Sequence, residues 1–275
     1  MKFELHCHTK YSTSNIPLDG MEEPATIVRH AKRIGLAGIA ITDHDVNKGW
    51  KEARLEAKKQ GIIFIPGMEV SSSRGHILAL GISDRIENNL SIEETVERIH
   101  ESGGVAVASH PFDIRGFGVR DEFVKADAVE VFNGLSLDRF SNWLTKSRVE
   151  KAGMPVTSGS DAHTLGMIGK AGISADADDI DSLLKAIREG RVSISENYVL
   201  LNEMKEWNRL RMENAYEDVL RFIDWRFGRI RAWALKGVMN KYLATNPRNL
   251  AWEFVARAGL IGVLLYGGFK AFSYW

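Results

Sequence analysis

The first 200 residues alternate short apolar runs with amphipathic stretches, and this pattern constrains the fold more than any other feature. The apolar runs are rich in Val, Ile and Phe and are often flanked by Gly or Pro, which predicts β-strands. The predicted strands are Lys2–His6, Gly38–Thr42, Ile62–Pro66, His76–Leu80, Gly104–Ser109, Ala128–Phe132, Pro155–Gly159 and Val192–Ser195. The predicted helices between them are Pro24–Gly35, Lys48–Gln60, Ser91–Ser102, Ser141–Ala152 and Asp178–Glu189. This alternation predicts an α/β protein with a parallel sheet covered by helices, and seven or eight units favour a closed barrel.

The strand pattern stops near residue 200. Residues 201–275 carry 12 Lys and Arg against 7 Asp and Glu, a net charge of +5, whereas the whole chain is neutral. Five of the seven tryptophans also lie in this part. These shifts predict two domains, a barrel over residues 1–200 and a helical extension over residues 201–275. The helices predicted for the extension are Leu201–Phe227, Arg229–Ala244 and a third that starts at Pro247 and ends near Phe269.

The sequence favours a cytoplasmic location. Cys7 is the one cysteine, so no disulfide can form within the chain and a reducing compartment is expected. The N-terminus lacks the apolar core of a signal peptide. The longest uncharged apolar stretch, Ala258–Phe269, has twelve residues, fewer than the roughly 20 that a membrane span needs. A net charge of zero gives no overall argument for a nucleic-acid partner.

Three interpretations of the helical extension are open. It could pack on the barrel or on a second subunit, which would make a homo-oligomer. It could anchor the chain at a membrane surface, because Gly259–Phe272 is apolar and several aromatic residues resemble those of bilayer interfaces, namely Trp252, Tyr266, Tyr274 and Trp275. It could bind nucleic acid through Arg209, Arg211, Arg221, Arg226, Arg229 and Arg231, although such arginines more often form a solvated surface. We expect the first, because the charges that flank the apolar stretch are costly at the bilayer centre.

Six of the eight histidines lie at the ends of predicted strands, together with two acids. They are His6, His8, His44, His76, His110 and His163, with Glu69 and Asp161. Because the C-terminal ends of barrel strands meet at one face, these side chains are expected to cluster, although His76 opens its strand and needs a local reversal. Imidazole and carboxylate groups suit zinc, manganese and iron, so the pattern predicts a centre for divalent metal ions.

Taken one at a time, these histidines and acids are weaker evidence for a metal site than the eight residues together. A lone histidine at a strand end is more often a hydrogen-bonded surface residue than a ligand. His6 and His8 point the same way in an extended segment, with Cys7 facing away. Cys7 could act as a nucleophile, but no activating motif surrounds it, so a small buried residue is favoured.

Six motifs together resemble the PHP (polymerase and histidinol phosphatase) family of hydrolases. In chain order they are His6-Cys7-His8, Thr42-Asp43-His44, Gly67-Met68-Glu69, His76 to Gly81, Ser109-His110-Pro111 and Ser160-Asp161-Ala162-His163. The resemblance spans roughly residues 1–195 and implies a distorted (β/α)₇ barrel, here with a C-terminal helical extension. It also implies a metal cluster at the strand C-termini.

The resemblance implies ligands for two or three divalent ions (Zn, Mn or Fe). The first ion would be held by His6, His8, Glu69 and Asp161. Glu69 would bridge to a second ion that His76 and His110 also hold, and His44 and His163 would hold a third. Many members place an Asp or His five or six residues after the first motif as a further ligand of this third ion, where this chain has Thr13 and Ser14.

These features imply a metal-dependent phosphoric ester hydrolase that acts on a small metabolite or a nucleotide. Two nearby cations make a bridging water more acidic and neutralise phosphate oxygens. The leaving group also needs a proton, which His44, His163 or Asp43 could give. The substrate-binding candidates are Lys10, Arg74 and Arg115, and Arg115 is preferred because a glycine-rich loop places it soon after His110. The alternatives are a metal-dependent amidohydrolase and a non-catalytic or RNA-associated PHP-like binding module.

Overall fold

The computed structural model describes residues 1–12, 19–245 and 249–273, with side chains through residue 270. Several residues used in the sequence argument lie outside this part of the chain: Thr13, Ser14, Pro247, Tyr274 and Trp275. The side chain of Phe272 also lies outside it.

The described residues form nine strands in one sheet. They are β1 (Lys2–Glu4), β2 (Gly38–Ile41), β3 (Ile63–Ser71), β4 (His76–Leu80), β5 (Val105–Ala108), β6 (Ala128–Asn133), β7 (Val156–Gly159), β8 (Ala171–Ser174) and β9 (Ser193–Glu196). Their order across the sheet is β7-β6-β5-β4-β3-β2-β1-β8-β9. All eight predicted strands are present. Strand β8 was not predicted, because its Ala-Gly-Ile-Ser sequence has too few alternating apolar residues to give a strand pattern.

The expectation of a wholly parallel sheet is wrong. Strands β1 to β3 are parallel, as are β5 to β7, but β4 runs antiparallel to both of its neighbours. Strands β8 and β9 are also antiparallel to their neighbours. The reversal of β4 pairs its first residue, His76, with Ser71 at the end of β3. This reversal brings His76 to the same edge of the sheet as the C-terminal ends of the parallel strands.

The sheet curls until its seventh strand approaches its first. Beyond β1 and β7, the N–H of His8 donates to the carbonyl of Ala162 (2.8 Å), and the N–H of Ala162 donates to that of His6 (3.1 Å). The α/β class is therefore confirmed as a nearly closed, barrel-like sheet with helices. The exact (β/α)₇ description stays a prediction.

Five helices of the first 200 residues lie close to their predicted positions. They are α1 (Pro24–Arg33), α2 (Trp50–Gln60), α3 (Ile92–Glu101), α4 (Phe140–Ala152) and α5 (Ile180–Arg188). Helix α3 begins with the capping box that its Ser-Ile-Glu-Glu sequence forms, because Ser91 and Glu94 bond each other's backbone N–H groups. Alternate strand residues enter two separate cores, with Ile39 and Ile41 in one and Ala40 in the other. The sheet is therefore buried on both faces, which leaves its edge for polar side chains.

Four helices make up the described part of the extension. They are α6 (Leu201–Asn214), α7 (Tyr216–Arg226), α8 (Arg229–Leu243) and α9 (Leu250–Ser273). The predicted single helix Leu201–Phe227 is wrong, because Ala215 leaves the helical conformation (φ −118°, ψ 33°). Alanine favours helices, so contacts among α6, α7 and α8 determine this break rather than local preference. The domain boundary near residue 200 stays a prediction.

Helix α9 lies close to the helix predicted from Pro247 to near Phe269, and it extends well beyond the uncharged twelve-residue stretch. It continues through Arg257 and Lys270, and its segment Leu250–Lys270 is long and apolar enough to cross a membrane. Only 6% of the apolar window is buried within the chain, although Gly267 and Gly268 lie against Asp138 and Phe140 of the barrel. Length and composition alone do not distinguish a membrane span from an interface between protein chains. The cytoplasmic location and the homo-oligomer therefore stay predictions.

Candidate metal centre

Strand ends bring all eight predicted metal-ligating side chains to one place. They are His6 and His8 after β1, His44 after β2, Glu69 within β3, His76 at the start of β4, His110 after β5, and Asp161 and His163 after β7. The backbone turns sharply at two of them, since φ is +29° at His110 and +53° at Asp161. Such values are uncommon for residues other than glycine and are typical of functional sites, where the fold holds a side chain in a required direction.

The centre of the cluster is a group of four side chains. The Nε2 atom of His6 lies 3.2 Å from Glu69 Oε2 and 3.5 Å from Asp161 Oδ1. The Nε2 atom of His8 lies 3.4 Å and 3.2 Å from the same two oxygens. Four donors placed about 2.0–2.1 Å from a common tetrahedral centre would lie about 3.3–3.4 Å apart. These residues therefore fit a metal ion.

A second group shares Glu69 with the first. Its Oε1 atom lies 2.9 Å from Nδ1 of His76 and 2.9 Å from Nε2 of His110. The hydroxyl of Ser109 donates to the same oxygen at 3.1 Å. On the other side of the carboxylate, Nδ1 of His44 lies 3.3 Å from Oε2, beside His6 and His8. The two oxygens of Glu69 thus face two different sets of histidines, which is the arrangement that a bridging carboxylate requires.

A third group contains an acid that the sequence argument missed. Asp19 Oδ1 lies 3.3 Å from His163 Nε2, and Asp19 Oδ2 lies 3.7 Å from His44 Nε2. Asp19 follows His8 by eleven residues, so the shorter spacing typical of the family did not indicate it. The available signal was an acid before the first helix, and only the folded chain shows that it reaches His44 and His163.

Burial and charge make this cluster a negative site. Burial lowers the pKa of His8, but the nearby carboxylates of Asp161 and Glu69 raise that pKa to about 10. Burial raises the pKa of Glu69, yet His44, His76 and His6 hold it well below its usual value. The carboxylates therefore remain ionised. Their negative charge is balanced either by protonated histidines or by bound cations. Burial also lowers the pKa of His44 to about 4, which leaves its ring neutral.

A second layer of buried groups orients the central four. Glu130, from β6, lies 2.9 Å from Nδ1 of His6 and accepts a hydrogen bond from the N–H of His110. Asn133 donates to Glu130 at 3.0 Å and to Asp161 at 3.2 Å. A carboxylate on the far nitrogen of a ligating histidine fixes the ring and increases its basicity. Sequence reasoning missed Glu130 because it lies inside an otherwise apolar strand.

The structure does not bring every predicted catalytic or substrate-binding residue to the cavity. Asp43 accepts hydrogen bonds from the N–H (2.5 Å) and hydroxyl (2.7 Å) of Thr9, so it braces the loop after His8. Lys10 pairs with Glu23 at 2.6 Å on the surface. Arg74 pairs with Glu122 at 2.9 Å, also on the surface.

Arg115 does reach the site. The cluster opens into a cavity of about 410 Å³, and Arg115 lines it with its Nε donating to Asp113 at 3.0 Å. Phe117 lies beneath Arg115, stacked on the ring of His76. Two residues of helix α6, Trp207 and Arg211, line the same cavity. Trp207 was not predicted as a site residue, and Arg211 was considered only as a possible contact for nucleic acid.

Comparisons with known proteins agree with this geometry. A family model described as PHP-associated matches residues 139–192. An uncharacterised protein of Methanocaldococcus jannaschii is 37% identical over 159 residues, which cover 55% of this chain and 92% of that protein. A 3′,5′-nucleoside bisphosphate phosphatase of Chromobacterium violaceum is 39% identical over 83 residues, which cover 29% of this chain and 27% of that enzyme.

A solved structure shares the fold. It is a two-domain protein from Bacteroides vulgatus whose description names a predicted PHP-like metal-dependent phosphoesterase. It superposes with a TM-score of 0.60 at 18% identity, over 78% of this chain and 69% of that one. The chain belongs to the PHP family. The resemblance drawn from the six motifs is thus confirmed. Its histidine and carboxylate groups are able to hold metal.

Proposed function

We propose that this PHP protein hydrolyses a phosphate ester of a small metabolite or nucleotide, with two or three divalent ions (Zn, Mn or Fe) in its cluster. One observation carries the proposal. His6, His8, Glu69 and Asp161 converge at 3.2–3.5 Å beside a cavity that Arg115 also lines. This combination offers a metal site together with a cation for phosphate.

Each group of side chains has a proposed role. The central four would hold the first ion, Glu69 with His76 and His110 the second, and Asp19 with His44 and His163 the third. When bound, the ions would make a water more acidic and would neutralise charge on the phosphate. Arg115 would orient the phosphate, because its guanidinium is fixed at the cavity by Asp113 and presents donors in a rigid fork.

The leaving group also needs a proton donor. His44 and His163 both line the cavity beside Asp19. We favour His163, because the low pKa of His44 leaves that ring without an acidic proton near neutral pH. A ring nitrogen that holds a cation cannot donate a proton, so these two histidines serve as donors only where the third group is not filled. We assign Asp43 to positioning, because both of its oxygens accept hydrogen bonds from Thr9.

Two further proposals complete this description. We infer that residues 1–200 are the catalytic unit, a distorted seven-stranded barrel, and that residues 201–275 are an extension of it. A nucleotide is included among the substrates because one relative is a nucleoside bisphosphate phosphatase. That relative matches over 83 residues only, so we use its substrate to choose test compounds and do not assign it to this chain.

The test combines metal analysis with a substrate panel. Protein purified without chelator should contain at least two transition-metal ions per chain by elemental analysis. Manganese- or zinc-loaded protein should hydrolyse p-nitrophenyl phosphate, its diester, nucleotides or short oligonucleotides. Bound metal without hydrolysis of any ester would instead favour an amidohydrolase or a binding module. Protein that takes up no metal after reconstitution would overturn the proposal.

A further inference from the structure

Helix α6 lies outside the PHP resemblance but contributes to the cavity. We propose that Arg211 of this helix binds a second anionic group of the substrate, at the opposite end of the histidine cluster from Arg115. This inference rests on the proposed phosphoesterase function. It makes the extension a part of the active site that selects substrates by charge.

Trp207 fixes helix α6 to the metal centre. Its side chain is 6% exposed, and its ring centroid lies 4.3 Å from that of His163. Its indole N–H donates to the carbonyl of Asp19 at 2.8 Å. The tryptophan thus contacts two residues of the third group, so the position of α6 relative to this group is set by buried contacts.

Arg211 follows Trp207 by one helical turn and lies on the same face of α6. Its guanidinium carbon lies 4.7 Å from the centroid of the Trp207 ring, which is a favourable cation–π distance. Arg211 is half-buried and lines the cavity. Its planar charged group therefore lies at the cavity wall, against the Trp207 ring.

The Arg211 guanidinium forms no salt bridge and no hydrogen bond with residues 1–12, 19–245 and 249–273. Burial lowers its pKa, and Asp19 opposes this shift from a distance without pairing with it. Its basic neighbours on α6 are paired, Lys205 with Glu253 and Arg209 with Glu213 at 2.7 Å. A partly buried cation without an acceptor is unfavourable unless a ligand supplies one. A guanidinium suits phosphate or carboxylate oxygens in particular.

The two cavity arginines stand at different ends of the histidine cluster. Arg115 lies over Phe117, which stacks on His76, whereas Arg211 lies over Trp207, which packs on His163. Ring contacts run from His76 through His110, His6 and His8 to His163. A phosphate at the cluster can use Arg115, and a second anion on the same substrate would then meet Arg211.

The test compares Arg211→Gln with Arg209→Gln, a matched change on the same helix at an arginine paired with Glu213. The substrates are two matched pairs, adenosine 5′-monophosphate with adenosine 3′,5′-bisphosphate, and glycerol 2-phosphate with 2-phosphoglycerate. Arg211→Gln should lower kcat/KM about 10- to 100-fold for the member with the extra anion, mainly through KM. It should change the other member less than about twofold. The two pairs distinguish a second phosphate from a carboxylate.

Equal losses on both members of each pair, or no loss on any, would overturn the proposal. The same holds if Arg209→Gln reproduces the effect. Calorimetric titration of each adenosine nucleotide separates this result from the proposed function. If the wild type hydrolyses no ester, the proposed function fails, but Arg211 is still supported when Arg211→Gln removes the preference for the bisphosphate. If the wild type and the variant each bind the two nucleotides with the same affinity, the role of Arg211 is refuted.

Discussion

Replacing Glu69 with glutamine is the most informative single perturbation of the cluster. The two oxygens of Glu69 face two different sets of histidines. Oε2 lies 3.2–3.4 Å from nitrogens of three of them, and Oε1 lies 2.9 Å from nitrogens of two others. Glutamine keeps the size of the side chain but removes the charge and one acceptor oxygen. Its amide cannot bridge two cations, so both the first and the second ion should bind more weakly.

The size of the effect follows from this sharing. Loss of a hydrogen bond to a ligating histidine alone weakens metal binding about 10- to 100-fold. Glu69 would contact the ions directly, so we expect at least about 100-fold weaker binding of each ion, or about 2.8 kcal/mol. At micromolar protein, metal content should then fall from at least two ions per chain to less than one. The kcat/KM for the best ester should fall by about 1,000-fold or more.

The assay measures metal content, kcat/KM and circular dichroism on one preparation of each variant. Glu122→Gln is the matched control, because Glu122 pairs with Arg74 on the surface, away from the cavity. It should leave all three quantities unchanged. If Glu69→Gln retains two ions per chain and the activity of the wild type, Glu69 is not a bridging ligand and the reasoning is refuted.

Two further predictions concern the strand ends and the last helix. Asp161→Asn and His110→Ala should each abolish turnover with unchanged circular dichroism, because both side chains lie at the edge of the sheet outside its apolar cores; loss of fold in both would indicate a structural role instead. Deletion of residues 250–275 should cause aggregation or change the mass per assembly in light scattering, because exposed apolar residues of α9 such as Phe254 and Leu265 favour an interface between chains. An unchanged mass, together with full-length protein that sediments with liposomes, would favour a membrane surface.

The sequence alone determined the α/β class and the set of chemical groups in the cluster. Strands and helices can be predicted from apolar periodicity, because this pattern depends only on residues that are close together in the sequence. The histidines and acids could be grouped without coordinates because the C-terminal ends of parallel strands meet at one edge. His76 shows the limit of this rule, since it begins its strand and only the antiparallel pairing of β4 brings it to that edge.

The tertiary structure decided what depends on residues far apart in the chain. Asp19 lies beside His44 and His163 because of the conformation of the loop that contains it. Glu130 contacts His6 from a strand whose other residues are mostly apolar. The indole N–H of Trp207 donates a hydrogen bond to the carbonyl of Asp19, which lies 188 residues away in the sequence. Local patterns cannot encode such a contact, because its geometry depends on how helix α6 packs against the completed barrel. Short motifs thus predict the chemical groups of the centre. Their hydrogen-bond partners and the residues of the cavity wall come together only in the folded chain.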